Sequence, residues 1–300
     1  MKAKFIGILT LSVFTLNVFC SAPVNHQYHI VIDTDGAIDD MRAITMLLSS
    51  KEVQVLAITC SQGTLWPESV YVKVKSLLSD LQHDEIPVGV DEKLEQELPA
   101  WAPFAQNISW GNSKHNFSGD LINNNADEIL NKSFENYSGN ITLVALGSLK
   151  TYADWIEKAP QSISKIERIV WYNDLKVEDG FNYKVSPESF DIIKQTNIKL
   201  DIVANNSDRF LVDELYLTSI QSSNSFYAEQ ITAVHKQPEI IDRIRIKHLK
   251  LWDDFIPLYL TTPVVFESKK TGNISYNTID ESLSVTYIYE KMSNLFKSEE

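Results

Sequence analysis

HIVIDTDGAIDD, at residues 29–40, is the stretch of sequence that decides the fold of this chain. Its first five residues, His29 to Asp33, form a short β-branched run that predicts a buried strand. The residues from Asp39 to Ser50 carry apolar side chains at helical spacing, so a helix is expected directly after the strand. A strand, a glycine-containing turn and a helix in this order begin a βαβ unit, whose strands lie parallel.

The same alternation of strand and helix continues along the chain. Helices are predicted at Pro67–Leu81 and from about Ser148 to Lys158. Further strands are predicted at Val53–Thr59, Ile86–Val90, Ile141–Leu146, Ile166–Trp171 and Lys199–Val203. The pattern indicates an α/β fold of a single domain, with a Rossmann-like, mainly parallel sheet flanked by helices. In such sheets a ligand binds outside the carboxyl ends of the strands.

One long segment departs from this alternation. The residues from Lys93 to Asn140 are polar and rich in Asn and Ser. We expect a long excursion over the surface there, with a lid over the site as its functional interpretation.

The first 22 residues are typical of a secretory signal peptide. Lys2 and Lys4 precede an uncharged, largely apolar run at 5–19, and the small residues of Cys20-Ser21-Ala22 follow at the expected cleavage point. The mature domain is then 23–300, and the protein is predicted to be secreted or periplasmic. A lipoprotein anchored through Cys20 is the alternative, although Asn17-Val18-Phe19 before it makes a poor lipidation motif.

Charge and cysteine content exclude several classes of protein. The chain of 300 residues carries a net charge of −13, which argues against nucleic-acid binding, because phosphates require clustered Lys and Arg. No segment after the signal peptide is long and apolar enough for a stable membrane span. Once Cys20 is removed or modified, Cys60 has no disulfide partner. Assembly of the protein into a homo-oligomer stays an open alternative.

Four aspartates in the opening stretch form an acidic cluster: Asp33, Asp35, Asp39 and Asp40. Carboxylates packed this closely repel one another and raise each other's pKa unless a cation holds them. Helix capping explains one or two of the four, but not all. A hard cation with oxygen ligands, Ca²⁺ or Mg²⁺, is the natural occupant, and no Cys/His spacing suggests zinc.

The stretch resembles the Asp-x-Asp-x-x-x-Asp-Asp signature of the nucleoside hydrolases, the inosine/uridine-preferring hydrolase superfamily. Glycine directly after the second Asp is similar to the purine-preferring branch. Later segments resemble the family in the same order along the chain. They are Leu56-Ala57-Ile58-Thr59 with Gly63-Thr64, Leu143 to Leu149, Phe181-Asn182-Tyr183 with Ser186-Pro187-Glu188, and Trp252-Asp253.

The resemblance implies a calcium site and a catalytic base. Ca²⁺ would be held by Asp35, Asp40, the Leu146 carbonyl and Asp253, with Asp35 also acting as general base on a metal-bound water. Because Ca²⁺ lowers the pKa of its bound water only modestly, a carboxylate is needed to take the proton. A carboxylate-rich pocket also suits the positive charge that develops on the ribose.

The resemblance also implies a nucleoside site. Asp39 and Asn182 would hydrogen-bond the sugar. Trp252 and Trp101 would stack on the two faces of the base, which suits a flat purine and a role in purine salvage. The implied reaction is calcium-dependent hydrolysis of the N-glycosidic bond of ribonucleosides, with a small-molecule nucleoside as the partner.

The sugar loop departs from the family pattern. Trp171-Tyr172-Asn173-Asp174 replaces a glycine-rich turn, and Gly180 stands where the family usually has Glu. In the family these positions normally contact the ribose. The departure therefore implies weaker ribose recognition, a modified sugar or loss of turnover. It stays open whether the missing ribose contact is replaced by one from Asn173, Asp174, Glu178 or Asp179.

Three alternatives remain at the level of sequence. Asp33-x-Asp35 also fits a haloacid-dehalogenase-type phosphatase, with Asp33 as the nucleophile. The same metal site could serve a secreted calcium-dependent binder of nucleosides or sugars without efficient hydrolysis. Asp253 and Asp254 could simply cap a helix that runs to Leu260.

Overall fold

A single eight-stranded sheet organises the protein. The computed structural model describes residues 26–111 and 124–296. The strands stand in the order β3-β2-β1-β4-β5-β6-β8-β7, and only the β7–β8 pair is antiparallel. They are β1 (Tyr28–Thr34), β2 (Val53–Cys60), β3 (Val88–Val90), β4 (Ile141–Ala145), β5 (Ile166–Tyr172), β6 (Leu200–Val203), β7 (Phe266–Thr271) and β8 (Ile274–Ile279).

Helices cover both faces of the sheet, so the predicted α/β class is confirmed. Ile30 and Ile32 of β1 pack into one apolar cluster, while Val31 between them packs into the other, as alternation along a strand requires. The helices are α1 (Ile38–Ser49), α2 (Pro67–Asp80), α3 (Ala102–Asn107), α4 (Ala126–Asn136), α5 (Lys150–Lys158), α6 (Phe181–Val185), α7 (Pro187–Gln195), α8 (Glu214–Gln221), α9 (Phe226–Val234), α10 (Pro238–Arg245), α11 (Phe255–Thr261) and α12 (Val285–Asn294).

The six predicted strands and the three helices predicted among them are all present. Their bounds differ from the predicted ones by at most two residues. The structure adds α8, α9, α10, α12 and the β7–β8 hairpin, for which no prediction was made. The hairpin closes over Gly272 and Asn273, and the exposed residues of β7 are polar.

The expectation of a long excursion over the surface at residues 93–140 is wrong for the C-terminal part of that segment. Residues 126–136 form α4, and the side chains of Ile129, Leu130 and Phe134 are buried. Asn125 caps the helix by accepting a hydrogen bond from the Asp127 backbone N–H at 2.8 Å. The Asn and Ser content masked an apolar stripe that anchors α4 beside β2 and β3.

Several predictions concern the N-terminus. The signal peptide at 1–22 and Cys20 lie outside the described residues, so secretion and lipidation stay predictions. Cys60 is buried in β2 and forms no disulfide with any described residue. Across 26–111 and 124–296, no helix combines the length and apolarity that crossing a bilayer requires.

The packing of α4 gives the first prediction. Phe134→Ala removes a ring that is 3% exposed and packs on Trp155 at 4.7 Å between ring centroids. We expect it to lower the free energy of unfolding by about 3–5 kcal/mol, measured by urea denaturation. Lys132→Ala on the exposed face of the same helix is the control, with an expected change under about 0.5 kcal/mol. Equal effects of the two variants would show that α4 is not part of the core.

Candidate active site

A pocket opens at the carboxyl ends of the central strands. Its volume is about 440 Å³, and its wall includes residues that directly follow β1 and β4 and the end of β5. Parallel strands bring these ends to one edge of the sheet, as the topology requires. The pocket contains every residue that the sequence predicted for the site: Asp35, Asp39, Asp40, Trp101, Leu146, Asn182, Trp252 and Asp253.

Asp35 is held in a tight recess after β1. A Cβ atom at Gly63 would lie 2.1 Å from Asp35 Oδ2, so only glycine allows the loop after β2 to approach this closely. Thr64, which lines the same pocket, partly offsets the rise in the pKa of Asp35 that burial causes. Asp35 Oδ1 is buried and has no hydrogen-bond partner.

Three further carboxylates converge beside Asp35. One oxygen from each of Asp39, Asp40 and Asp253 lies within 4.8 Å of the others, and Asp35 is not part of this trio. Asp40 Oδ1 accepts hydrogen bonds from the Thr34 hydroxyl at 2.7 Å and the Asp35 backbone N–H at 3.1 Å. Asp253 Oδ1 is buried without a partner. Helix α1 therefore presents Asp39 and Asp40 toward Asp253, which lies two residues before the start of α11.

The electrostatics of this group call for a cation. Burial raises the pKa of Asp35 well above its usual value, and the charge of Asp40 adds to the effect. Burial likewise raises the pKa of Asp39 to about 7 and the pKa of Asp253 well above its usual value. Orphaned, buried carboxylate oxygens and an all-oxygen donor set fit a hard divalent cation. The residues present therefore fit the metal ion that the sequence predicted.

The Leu146 carbonyl and Asn182 meet at the edge of the same pocket. Asn182 Nδ2 donates to the Leu146 carbonyl at 2.7 Å and to the Tyr172 carbonyl at 3.0 Å. The amide nitrogen is thereby occupied, so Oδ1 is the atom of Asn182 that remains for a ligand. The Leu146 carbonyl keeps one lone pair, because a carbonyl oxygen accepts two hydrogen bonds or ligand contacts.

Asp33 turns away from the pocket. Its two carboxylate oxygens accept hydrogen bonds from the hydroxyls of Thr59 at 2.6 Å and Ser61 at 2.7 Å. It is fully buried, and burial raises its pKa to about 7. A carboxylate engaged on both oxygens and absent from the pocket wall cannot attack a substrate. The phosphatase alternative, which needs Asp33 as its nucleophile, loses its support.

Aromatic side chains also line the pocket. Trp101 is 45% exposed and meets Phe181 edge to face at 4.9 Å between ring centroids. Trp252 is half-buried, and Phe104 of α3 also lines the wall. The Arg243 guanidinium lies 3.8 Å from the centroid of the Phe104 ring. Neither Phe104 nor Arg243 was identified from the sequence, because no motif marks them.

The capping alternative for Asp254 is wrong. Asp254 precedes α11 but makes no side-chain capping hydrogen bond. Its carboxylate instead receives two hydrogen bonds from Arg42, from Nε to Oδ1 at 2.8 Å and from Nη2 to Oδ2 at 2.7 Å. The two residues are 212 positions apart, so no local sequence pattern indicates this ion pair.

The loop at residues 171–182, which departs from the family pattern, is held by contacts among its own residues. Asn173 Nδ2 donates to the Val177 carbonyl at 3.0 Å, and a Cβ atom at Gly180 would lie 1.9 Å from Asn173 Oδ1. Asn173 thus fills the space that a side chain at position 180 would need. Glu178 and Asp179 are exposed, and neither lines the pocket. Of the four residues considered as compensation, Asn173 and Asp174 line it, and the Asn173 amide is engaged within the loop.

Comparison with known proteins agrees with this geometry. A probable uridine nucleosidase 1 from Oryza sativa subsp. japonica is 25% identical over 195 residues, which are 60% of this chain and 59% of that protein. The pyrimidine-specific ribonucleoside hydrolase RihA of Salmonella paratyphi A is 28% identical over 193 residues, or 59% of this chain and 60% of that protein. This chain thus spans about 60% of the length of these relatives.

The fold and the family have independent support. A solved plant nucleoside hydrolase matches with a TM-score of 0.72 at 19% identity, over 91% of this chain and 100% of that chain. The names of the two relatives do not support a purine-preferring branch. The family model of the inosine-uridine preferring nucleoside hydrolases matches residues 30–284. The chain therefore belongs to the inosine-uridine preferring nucleoside hydrolase family.

Proposed function

We propose that the protein is a calcium-dependent hydrolase of the N-glycosidic bond of ribonucleosides, with a preference for purines. The observation that carries the proposal is the pair of buried carboxylate oxygens without partners, Asp35 Oδ1 and Asp253 Oδ1, in a pocket that aromatic side chains also line. The carboxylates suit a cation and a sugar, and the aromatic side chains suit a flat base. We also propose that the mature protein, residues 23–300, acts outside the cytoplasm.

Asp35, Asp40, Asp253 and the Leu146 carbonyl would hold Ca²⁺, which supplies Lewis acidity and stabilises the ionised carboxylates. Asp35 takes a proton from the attacking water as its oxygen bonds to the anomeric carbon. Asp39 and Asn182 Oδ1 accept hydrogen bonds from sugar hydroxyls. As the C–N bond breaks, its electron pair passes to the base, and the carboxylates stabilise the positive charge on the ribose.

Arg243 would stabilise the negative charge on the departing base. Its guanidinium lines the pocket against Phe104, and no carboxylate pairs with it among the residues that the structure describes. A cation in this position stabilises electron density on a departing base. The base would stack between Trp101 and Trp252, which suits a flat purine.

The substrate panel tests the activity directly. The protein with Ca²⁺ is expected to release free base from inosine, adenosine or guanosine faster than from uridine, measured by chromatography. Faster release from uridine would overturn the purine preference and agree with the names of the relatives. Binding without release from any nucleoside would favour the nucleoside-binding alternative, for which the rebuilt loop at Asn173 and Gly180 is the structural reason.

Asp35→Asn tests the catalytic base. We expect kcat to fall by about 10²–10⁴-fold, because the amide cannot take a proton from water. The variant should fold, because Asn has the size of Asp and lessens repulsion with Asp40. Circular dichroism checks the fold, and Asp84→Asn, on an exposed turn, is the control with unchanged kcat. An unchanged kcat in Asp35→Asn would exclude it as the base.

Arg243→Met tests stabilisation of the departing base. Met keeps an apolar stem against Phe104 but removes the charge. We expect kcat/KM for inosine to fall about 10²-fold, as for the loss of one electrostatic contact to the transition state. Cleavage of p-nitrophenyl riboside, whose leaving group needs little help, should change much less. Arg245→Met on the same helix, where Arg245 pairs with Asp242 at the surface, is the control. Equal losses on both substrates would show that Arg243 does not act on the leaving group.

A further inference from the structure

We propose that Arg42 is a positioning residue for the metal site. Its ion pair with Asp254 fixes α1, which carries Asp39 and Asp40, against the start of α11, next to Asp253. The inference rests on the calcium site of the proposed function and extends it to a pair of residues that do not themselves bind the metal.

The ion pair is buried and geometrically complete. The side chains of Arg42 and Asp254 are 1% and 0% exposed, and two parallel hydrogen bonds of 2.8 and 2.7 Å join them. Bidentate pairing fixes the relative orientation of both groups as well as their distance. The Tyr216 hydroxyl of α8 donates a third hydrogen bond to Asp254 Oδ1 at 3.2 Å.

The remaining donors of Arg42 reach two more elements. Nη2 donates to the Lys250 carbonyl at 3.3 Å, in the segment that leads to Trp252. Nη1 donates to His235 Nε2 at 3.4 Å, at the end of α9. The opposite nitrogen, His235 Nδ1, donates to the Ile231 carbonyl at 2.7 Å. Burial and the charge of Arg42 lower the pKa of His235 to about 3, so the ring is neutral and Nε2 is free to accept. Arg42 thereby links α1, α9, α11 and one wall of the pocket.

The position of the pair explains why such a link is needed. Asp40 on α1 and Asp253 before α11 each bring a carboxylate oxygen into a cluster whose oxygens lie within 4.8 Å of one another, and like charges this close repel each other across the helix interface. That repulsion favours separation of the two helices before a cation arrives. Arg42 and Asp254 lie two residues and one residue from these carboxylates, and their attraction acts across the same interface. The ligands are therefore held close together without the metal, which is preorganisation of a metal site.

The test measures Ca²⁺ affinity by titration calorimetry on the full protein, at a temperature at which circular dichroism shows each variant to be folded. Arg42→Met is expected to weaken Ca²⁺ binding about 10–100-fold, the range for residues that orient metal ligands. Asp254→Asn should have a similar effect, and Arg42→Lys a smaller one, because lysine keeps the charge but not the bidentate geometry.

A double variant separates positioning from folding. Arg42→Met/Asp254→Leu removes both charges, so no unpaired buried charge remains and most of the stability is expected to return. Positioning predicts that Ca²⁺ affinity stays weakened in this variant. A return of affinity together with stability would overturn the proposal, as would wild-type affinity in Arg42→Met.

The matched control is Arg168→Met. Arg168 on β5 pairs with Asp201 on β6 at 3.1 Å, is largely buried and does not line the pocket. It should lower stability and leave Ca²⁺ affinity within about twofold of wild type, because it orients no metal ligand. If wild-type protein itself binds no Ca²⁺, the calcium assignment fails together with this inference. If wild type binds Ca²⁺ and Arg42→Met binds it equally, only this inference fails.

Discussion

Repulsion among buried carboxylates is the interaction on which the rest of the site depends. Asp35, Asp40 and Asp253 line one pocket as buried side chains, and burial raises the pKa of each. In the absence of a cation this arrangement destabilises the folded chain, because each buried charge without a partner costs several kcal/mol. That cost is comparable with the net free energy of unfolding of a whole domain. The surrounding structure holds the carboxylates together regardless. Glycine at position 63 gives Asp35 its space, and the Arg42–Asp254 pair fixes the two helices.

The pocket combines two kinds of side chain. Carboxylates line it together with tryptophans, Phe104 and the Arg243 guanidinium. Hydrolysis of a glycosidic bond develops positive charge on the sugar and negative charge on the departing base, so the pocket holds charged groups suited to both. This match favours a hydrolase over a simple binder, because a binder gains nothing from stabilising charges that arise only during bond cleavage.

The sequence was informative where chemistry is local. The β-branched runs and helical spacing predicted six strands and three helices. The acidic cluster placed Asp35 just after β1, and Asp39 and Asp40 at the start of α1. It was uninformative where contacts join distant residues. Arg42 and Asp254 pair across 212 positions. The steric conflict between Asn173 and any side chain at position 180 depends on loop geometry. The apolar stripe of α4 is interspersed with polar residues, which obscure it in the sequence.

The most direct test of the account is a crystal structure of the protein grown with Ca²⁺, with the ion identified by anomalous scattering. The account predicts one ion about 2.3–2.6 Å from oxygens of Asp35, Asp40, Asp253 and the Leu146 carbonyl. An ion held by Asp39, Asp40 and Asp253 without Asp35, or no ion in the pocket at saturating Ca²⁺, would contradict it.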